Sequence, residues 1–227
     1  TEGFVSPTRE DFAHAMRALD ARAPLGTTDF GAALAATLET FDEADHDAAR
    51  SAVYLGDGMS PAGLIETDRM QAAVERLVEK QIAVSGFAIG PRWDGYLLAV
   101  IANHTGGVLA VDNEAASAEQ VGDYLAQVAR QTVLWPTDVT LPGGLEDVYP
   151  RQLPPLRADR ATVLIGTGGD TVDGELVVAA EAGGAERQMA WRIEAGVPMS
   201  AGIHCRRLGW PNWRRDLVNL AISIASR

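Results

Sequence analysis

The sequence has little that could cross-link the chain or anchor it in a membrane. Its 227 residues include one cysteine, Cys205, so no disulfide can form within the chain and stability has to come from a packed core. No apolar run reaches the roughly 18–20 residues that a membrane-spanning helix needs, and no charged stretch followed by an apolar one marks a signal peptide. Hydrophobic residues make up 47% of the chain, which predicts a sizeable core and a folded protein.

Several common catalytic patterns are absent as well. The sequence has no Gly-x-Ser-x-Gly nucleophile turn, no Asp-x-Asp pair after a strand and no Gly-x-x-x-x-Gly-Lys phosphate loop. Residues 166–169 (GTGG) are interpreted as a turn, and the adjacent His204 and Cys205 lack the third, orienting group that a nucleophile and its base need. We therefore expect a protein that is not an enzyme. A hydrolase that uses Asp57 as a nucleophile or metal-binding acid is the alternative, because fold alone does not exclude it.

Negative charge is concentrated in the first part of the chain. Residues 1–131 contain 20 acidic and 9 basic residues, whereas residues 132–227 contain 11 and 10. This acidity argues against binding to the phosphate backbone of nucleic acids, and it suits a site that attracts a cation. A solvated acidic surface without a metal is the simpler explanation of the charge alone.

Helix and strand patterns alternate through residues 1–131. Two short apolar runs, residues 51–55 and 82–89, have the continuous hydrophobic character of strands that are buried on both faces, and residues 108–111 form a third candidate. Apolar stripes at helical spacing lie before and between them. The pattern predicts an α/β fold with a partial doubly wound, Rossmann-like parallel sheet. In such sheets ligands bind at the carboxyl ends of the strands.

The pattern changes at residue 132. Prolines recur through residues 132–160 and predict an extended connector there. Residues 161–227 are predicted as a small antiparallel β-meander followed by a C-terminal helix at about residues 213–225. Gly-rich turn signals, typical of hairpins, separate the strand candidates of this meander. The candidates are residues 161–166, 175–182 and 188–194, and the turn signals are Gly168-Gly169 with Asp173-Gly174, and Gly183-Gly184.

Three stretches of residues 1–131 carry polar or glycine-rich motifs, namely residues 26–34 (GTTDFGAAL), 53–58 (VYLGDG) and 98–108 (LAVIANHTGGV). Together they resemble the von Willebrand factor A domain family. Residues 26–34 open a helix and resemble the second metal loop of that family, G-G-T-[ND]-[IL]-x-x-A-L. Residues 53–58 (VYLGDG) close a strand and resemble its third metal loop, in which Asp-Gly follows hydrophobic residues. Residues 98–108 (LAVIANHTGGV) fit its late motif, an apolar helix that ends in A-x-x-T-G-G before the last strand.

The resemblance implies a metal-ion-dependent adhesion site that holds Mg²⁺, a cation that prefers oxygen ligands. Thr28 would supply the hydroxyl ligand and Asp57 the carboxylate, often through water. An exposed acidic side chain of a partner protein would take the open metal position. From the local sequence alone, Thr28 could equally cap the following helix, and Asp57 before Gly58 could serve the turn. Asp29 is interpreted as a capping or first-turn acid.

The first metal loop of the family, Asp-x-Ser-x-Ser after the first strand, occurs nowhere in the sequence. The resemblance therefore implies a piece of a longer protein, without the first strands of the domain and with weak or no Mg²⁺ binding by this chain. Residues 149–156 and the strand candidate after them are similar to the β-rich segment that follows the domain in inter-α-trypsin-inhibitor heavy-chain-like and bacterial multidomain proteins. The expected function is a protein-binding, adhesion-type module of a larger protein. A metal-independent structural scaffold is the alternative.

Overall fold

The first half of the chain alternates between helices and parallel strands. The structure, a computed structural model, describes residues 4, 10–22, 28–42, 48–59, 67–112, 116–193 and 217–223. No helix in this part of the chain is long and apolar enough to cross a bilayer. The elements are α1 (Glu10–Asp20), α2 (Phe30–Asp42), β1 (Arg50–Gly56), α3 (Thr67–Glu79), β2 (Ile82–Ala88), α4 (Gly95–His104), β3 (Leu109–Val111) and α5 (Ala118–Arg130).

The three strands form one parallel sheet, as the sequence predicts, and their order in the sheet is β1-β2-β3. β1 pairs with β2 from Arg50 and Ile82 onward, and β2 pairs with β3 from Gly86 and Leu109 onward. Six of the seven residues of the central strand β2 are buried, because helices pack against it. The main core lies between the sheet and helices α2, α3 and α4. Its buried residues are Phe30, Leu34, Leu38, Phe41, Leu77, Ile82, Val84, Ala88, Leu98 and Ile101.

Thr105 explains why the A-x-x-T-G-G motif ends α4 as it does. Its side chain is fully buried, and its hydroxyl accepts a hydrogen bond from the Val84 N–H (3.0 Å) and donates to the Ile101 carbonyl (2.8 Å). Pairing between β2 and β3 begins only at Gly86. The threonine hydroxyl therefore satisfies a buried backbone N–H of β2 just before β3 can do so.

The second half of the chain forms an antiparallel sheet. Its strands run in the order β5-β7-β4-β6, and β8 and β9 also pair with β7. Leu164, Leu176 and Val178 of β7 lie in a second core, with Leu134 of β4 and Leu156 of β6. The strands are β4 (Val133–Thr140), β5 (Gly143–Tyr149), β6 (Leu156–Arg157), β7 (Ala161–Ala182), β8 (Ala185–Ile193) and β9 (Leu217–Ser223).

Two predictions for this region need correction. The Pro-rich stretch is extended, but it contributes three strands to the sheet and is not merely a connector. Residues 161–182, predicted as two strands with a turn between them, form the single strand β7. Gly168 pairs with Leu145 of β5, and Gly174 (φ +133°) lies where β7 changes neighbours from β5 to β4. Glycine in a strand often marks a bulge or a close approach of the backbone, and here β7 continues through the Gly-rich residues without reversing, with a shift of register against β5.

The hairpin predicted at Gly183-Gly184 is confirmed. Both glycines have positive φ values, +55° and +73°, and the flanking Ala182 and Ala185 pair with each other in the β7–β8 ladder. A two-residue hairpin turn of type I′ requires a positive φ at both central positions, which glycine adopts without strain.

The predicted C-terminal helix is wrong. Residues 217–223 form strand β9, which pairs antiparallel with β7 from Thr167 to Ala161. The helix prediction rested on Leu217, Leu220 and Ile224, but a short apolar run does not distinguish a helix from a strand by its spacing. The first part of β7 has an edge that accepts a strand, and pairing there decides the conformation. The other residues of the predicted helix lie outside the described part of the chain.

Candidate functional site

Loops from neighbouring strands meet at the carboxyl edge of the parallel sheet. The Ile89 N–H donates to the Gly56 carbonyl (3.2 Å), and the Asp94 N–H donates to the Asp57 carbonyl (2.7 Å). These bonds tie the loop between β2 and α4 to the turn after β1. Asp57 and Asp94 therefore belong to adjacent segments at the edge where ligands bind in open α/β sheets.

Asp57 occupies a tightly built turn. Its Oδ1 accepts a hydrogen bond from the Met59 N–H (3.0 Å), so the carboxylate does stabilise the turn. Gly58 has φ +69°, and a Cβ at this position would lie 2.8 Å from Cγ of Leu98 in α4. Within the described residues, the second carboxylate oxygen of Asp57 accepts no hydrogen bond, and the side chain is only half-buried. One oxygen therefore serves the turn, and the role of Asp57 as a metal ligand stays a prediction.

Tyr54 connects this turn to the start of α2. Its hydroxyl accepts a hydrogen bond from the Gly58 N–H (3.3 Å), and its ring packs edge-to-face on Phe30, with centroids 4.8 Å apart. Burial raises the pKa of Tyr54 above its ordinary value of 10.0; the Gly58 N–H lowers it and the Asp57 charge raises it. The phenol therefore stays neutral at physiological pH. Phe30 follows Thr28 and Asp29 directly, so the two predicted metal loops converge on one tyrosine.

Asp29 caps α2. Its Oδ1 accepts a hydrogen bond from the Ala32 N–H (2.9 Å), and α2 begins at the next residue, Phe30. This confirms the interpretation of Asp29 as a capping acid. It also means that Thr28, which is exposed and lies one residue before the cap, is not the residue that caps the helix. The role of Thr28 as a metal ligand stays a prediction.

The donor set at this edge suits a partial magnesium site. Among the described residues, no group of three or more His, Cys, Asp or Glu side chains gathers to hold a metal. Thr28 and Asp57 together offer one hydroxyl and one carboxylate, and proteins commonly bind Mg²⁺ through one or two carboxylates while the ion keeps several waters. The oxygen donors of these residues fit the chemistry of Mg²⁺, and they would supply only part of its coordination shell. His204 and Cys205 lie outside the described residues.

The structure adds residues that the sequence did not single out at this edge. Asp94 caps α4, with its Oδ1 accepting from the Leu97 N–H (2.9 Å). The Trp93 ring lies over Gly95, where a Cβ would overlap it. Trp93 is 39% exposed and Tyr96 84% exposed. The run Trp-Asp-Gly before an apolar helix signals a cap, but it does not reveal that the cap contacts the Asp57 turn.

A cavity of about 490 Å³ lies at the opposite, amino end of the parallel sheet, against the β7–β8 hairpin. Arg50 and Arg157 are among its lining residues. The Arg50 guanidinium donates to the Lys80 carbonyl at the end of α3, and Arg157 donates to the Val128 carbonyl in the last turn of α5. These cations stabilise the carboxyl ends of helices. Because the cavity lies at the amino end of the sheet, it is separate from the candidate site at the carboxyl edge.

Comparisons with known proteins agree with this architecture. The family model described as von Willebrand factor type A domain matches residues 1–111. A von Willebrand factor type A protein from Catenulispora acidiphila has a similar structure, with a TM-score of 0.54 and 16% identity over 81% of this chain and 50% of that chain. The human COPII-coat protein Sec24c gives a TM-score of 0.50 and 11% identity over 81% of this chain and 31% of its own.

These comparisons differ in how much they show about the chain. At such low identities the two solved structures show the fold alone, and this chain spans half or less of their lengths. No curated protein matches the sequence. The family model, in contrast, covers both polar loops of the candidate site. The chain therefore contains, in residues 1–111, a domain of the von Willebrand factor type A family.

Proposed function

We propose that this chain is a protein-binding module whose contact surface is the carboxyl edge of the parallel sheet, assisted by Mg²⁺ at Thr28 and Asp57. Domains of this family are in general protein-interaction modules. The observation that carries the proposal is Tyr54, which packs on Phe30 at the start of α2 and binds Gly58 after Asp57. These two contacts support a site shared by the hydroxyl-bearing loop and the carboxylate-bearing loop.

The charge of the chain supports an acidic ligand that needs a metal. The chain has a net charge of −12, and Asp57 and Asp94 lie at the proposed contact surface. A partner carboxylate is repelled by this surface until a divalent cation inverts the local field. We therefore propose a partner protein with an exposed Asp or Glu side chain. Trp93 and Tyr96 are exposed beside the site and offer apolar contact area to the surroundings of that partner side chain, because aromatic residues are enriched in the cores of protein interfaces.

The binding of Mg²⁺ by this chain should be weak. Two protein oxygens leave most of an octahedral shell to water, and the Asp-x-Ser-x-Ser loop of the family is absent from the sequence. The proposal therefore predicts measurable but weak Mg²⁺ binding here, and tighter binding by any longer form that carries the missing loop.

Two charge-matched substitutions test the metal site. In Asp57→Asn the amide oxygen can still accept the Met59 N–H, so the turn survives while a metal-binding charge is removed. Asp29→Asn removes an equal charge nearby and keeps the α2 cap, since Asn caps as well as Asp. We expect Asp57→Asn to weaken Mg²⁺ binding at least about tenfold, the loss typical of a disturbed metal site, and Asp29→Asn to leave it nearly unchanged. Calorimetric titration measures both; equal effects would indicate unspecific attraction by the acidic surface.

The proposal includes the absence of catalysis, and it competes with two alternatives. A structural scaffold would bind its partner equally well with and without a chelator of divalent cations. A hydrolase on this sheet would show turnover of ester or phosphoester substrates that Asp57→Asn abolishes. A module that needs Mg²⁺ for partner binding and turns over no such substrate supports the proposal over both.

A further inference from the structure

Arg160 of the second half of the chain holds the carboxyl end of α4. Its Nη1 donates to the Gly107 carbonyl (2.9 Å), and its Nη2 donates to the carbonyls of Asn103 (3.3 Å) and Pro155 (3.0 Å). Two of these acceptors belong to the last turn of α4 and the loop after it, and the third belongs to the segment that precedes β6. One guanidinium therefore bridges the helix and the antiparallel sheet.

Arg157 fixes the same loop from a second direction. Its Nη1 donates to the Gly106 carbonyl (3.1 Å), and Asp159 holds the guanidinium through two hydrogen bonds of 2.6 and 2.8 Å. Gly106 has φ +74°, and a Cβ there would lie 2.7 Å from Val133 Cγ1 and 2.8 Å from Pro155 Cβ. At Gly106 the loop after α4 thus packs too closely against Val133 and Pro155 to leave room for a side chain.

The amino end of the same helix supports the candidate site. The residue that caps α4, Asp94, donates its N–H to the Asp57 carbonyl at 2.7 Å. One turn into the helix, Leu98 lies directly against Gly58. The position of α4 along its axis therefore determines where the Asp57 turn can lie.

We propose that Arg157 and Arg160 are positioning residues that act through α4, so that the antiparallel sheet controls the geometry of the Asp57 turn and with it binding at the carboxyl edge. A helix of ten residues is about 15 Å long and stiff over that length. Leu98, Ile101 and Ala102 anchor it in the core, and both of its ends are bonded, one to each part of the chain. Coupling between distant sites travels through packed and hydrogen-bonded elements of this kind. The effect on metal and partner binding rests on the proposed function, whereas the coupling itself does not.

The coupling is tested without any metal. Arg160→Met removes the hydrogen bonds of the guanidinium and keeps an unbranched side chain, and Arg160→Lys keeps the charge with fewer, less constrained donors. Arg192→Met on the exposed edge of β8 serves as the matched control. We expect Arg160→Met to shift the backbone amide resonances of Asp57 and Gly58 in the full chain. Arg160→Lys should shift them less, and Arg192→Met should leave them at their wild-type positions.

Two results would overturn the inference. Shifts confined to residues 103–107 and 155, with the Asp57 turn unchanged, would show that Arg160 acts only locally. Unfolding of both Arg160 variants, seen by circular dichroism, would show that Arg160 maintains the fold and does not position α4.

A second arm titrates MgCl₂ into the same variants. With the turn displaced, we expect Mg²⁺ affinity to fall about fivefold in Arg160→Met, at the lower end of measured allosteric couplings, with partial recovery in Arg160→Lys. If the amide shifts occur but the wild-type chain binds no Mg²⁺, the metal proposal fails while the coupling stands. An unchanged Mg²⁺ affinity in a variant whose turn has moved would contradict control of the site by the second sheet.

Discussion

Replacing Arg157 by Met measures how much the junction between the two sheets contributes to stability. The Arg157 side chain is 1% exposed and makes four hydrogen bonds, two to the Asp159 carboxylate and one each to the carbonyls of Gly106 and Val128. Met can fill much of the same space, but it donates no hydrogen bond. The substitution therefore leaves two carbonyls of buried residues and one carboxylate without their donor.

The expected loss follows from these contacts. A hydrogen bond from a charged donor contributes about 1.5–3 kcal/mol to stability, and the bond to Val128 is long at 3.4 Å. The ion pair contributes less than a buried one, because the Asp159 side chain is 32% exposed. With one full bond to the Gly106 carbonyl, a weaker one to the Val128 carbonyl and an ion pair of at most about 1 kcal/mol, we expect a total loss of about 3–5 kcal/mol. That is a large part of the 5–15 kcal/mol by which proteins are typically stable.

Urea unfolding at pH 7, followed by circular dichroism, measures this loss. Arg192→Met, at an exposed position on β8, should change the free energy of unfolding by less than about 0.5 kcal/mol. A loss below about 1 kcal/mol in Arg157→Met would refute the reasoning. It would mean that water replaces the guanidinium at both carbonyls and that the junction is looser than its geometry implies.

Three further predictions concern single groups. Thr105→Val removes the buried hydroxyl that accepts the β2 N–H, and urea unfolding should show a loss of about 1–3 kcal/mol. Gly58→Ala places a side chain at φ +69° and against Leu98 of α4. Urea unfolding should show a loss of stability of more than about 1 kcal/mol, and titration with MgCl₂ should show weaker binding. The Asp159 pKa lies below its ordinary value of 3.8, chiefly because Arg157 binds its carboxylate. Its contribution to stability is therefore present above pH 3.8 and disappears as the pH falls through the lowered pKa. Urea midpoints measured from pH 7 to pH 2 should therefore fall less on acidification in Arg157→Met than in the wild-type chain.

The parallel sheet could be predicted from the sequence because its strands are short, continuous apolar runs, although only the central strand β2 is buried on both faces and Val53 and Leu55 of β1 are exposed. Residues 51–55 and 82–89 are continuous apolar runs, and the structure places β1 and β2 at Arg50–Gly56 and Ile82–Ala88. Runs of this kind are a pattern in the sequence that does not depend on which strand lies beside which.

The antiparallel sheet was harder to predict because neighbouring strands decide its shape. Gly168-Gly169 and Gly183-Gly184 look alike in the sequence, yet the first pair lies within β7 and the second forms a hairpin. The difference lies in β5 and β9, which pair with the first part of β7. In the same way, residues 217–223 become a strand because β7 offers them an edge, which no local pattern reveals.

The candidate site was likewise predictable only where local motifs define it. Asp57 and the capping role of Asp29 follow from local motifs, since a turn and a helix start each have characteristic residues. The sequence around Asp94 indicates only a helix cap. The bond of Asp94 to the Asp57 carbonyl depends on how α4 packs against the sheet, and the arginines that hold the far end of α4 come from more than 50 residues further along the chain.

Titration of MgCl₂ into the wild-type chain and Asp57→Asn tests the central claim most directly. Backbone amide resonances report on both predicted loops at once, so the measurement gives both the location of the ion and its affinity. The account predicts saturable shifts at Thr28, Asp57 and Gly58 in the wild-type chain, which Asp29→Asn preserves and which in Asp57→Asn need at least about tenfold more Mg²⁺. Shifts spread evenly over the acidic surface, or saturable shifts with unchanged affinity in Asp57→Asn, would contradict it.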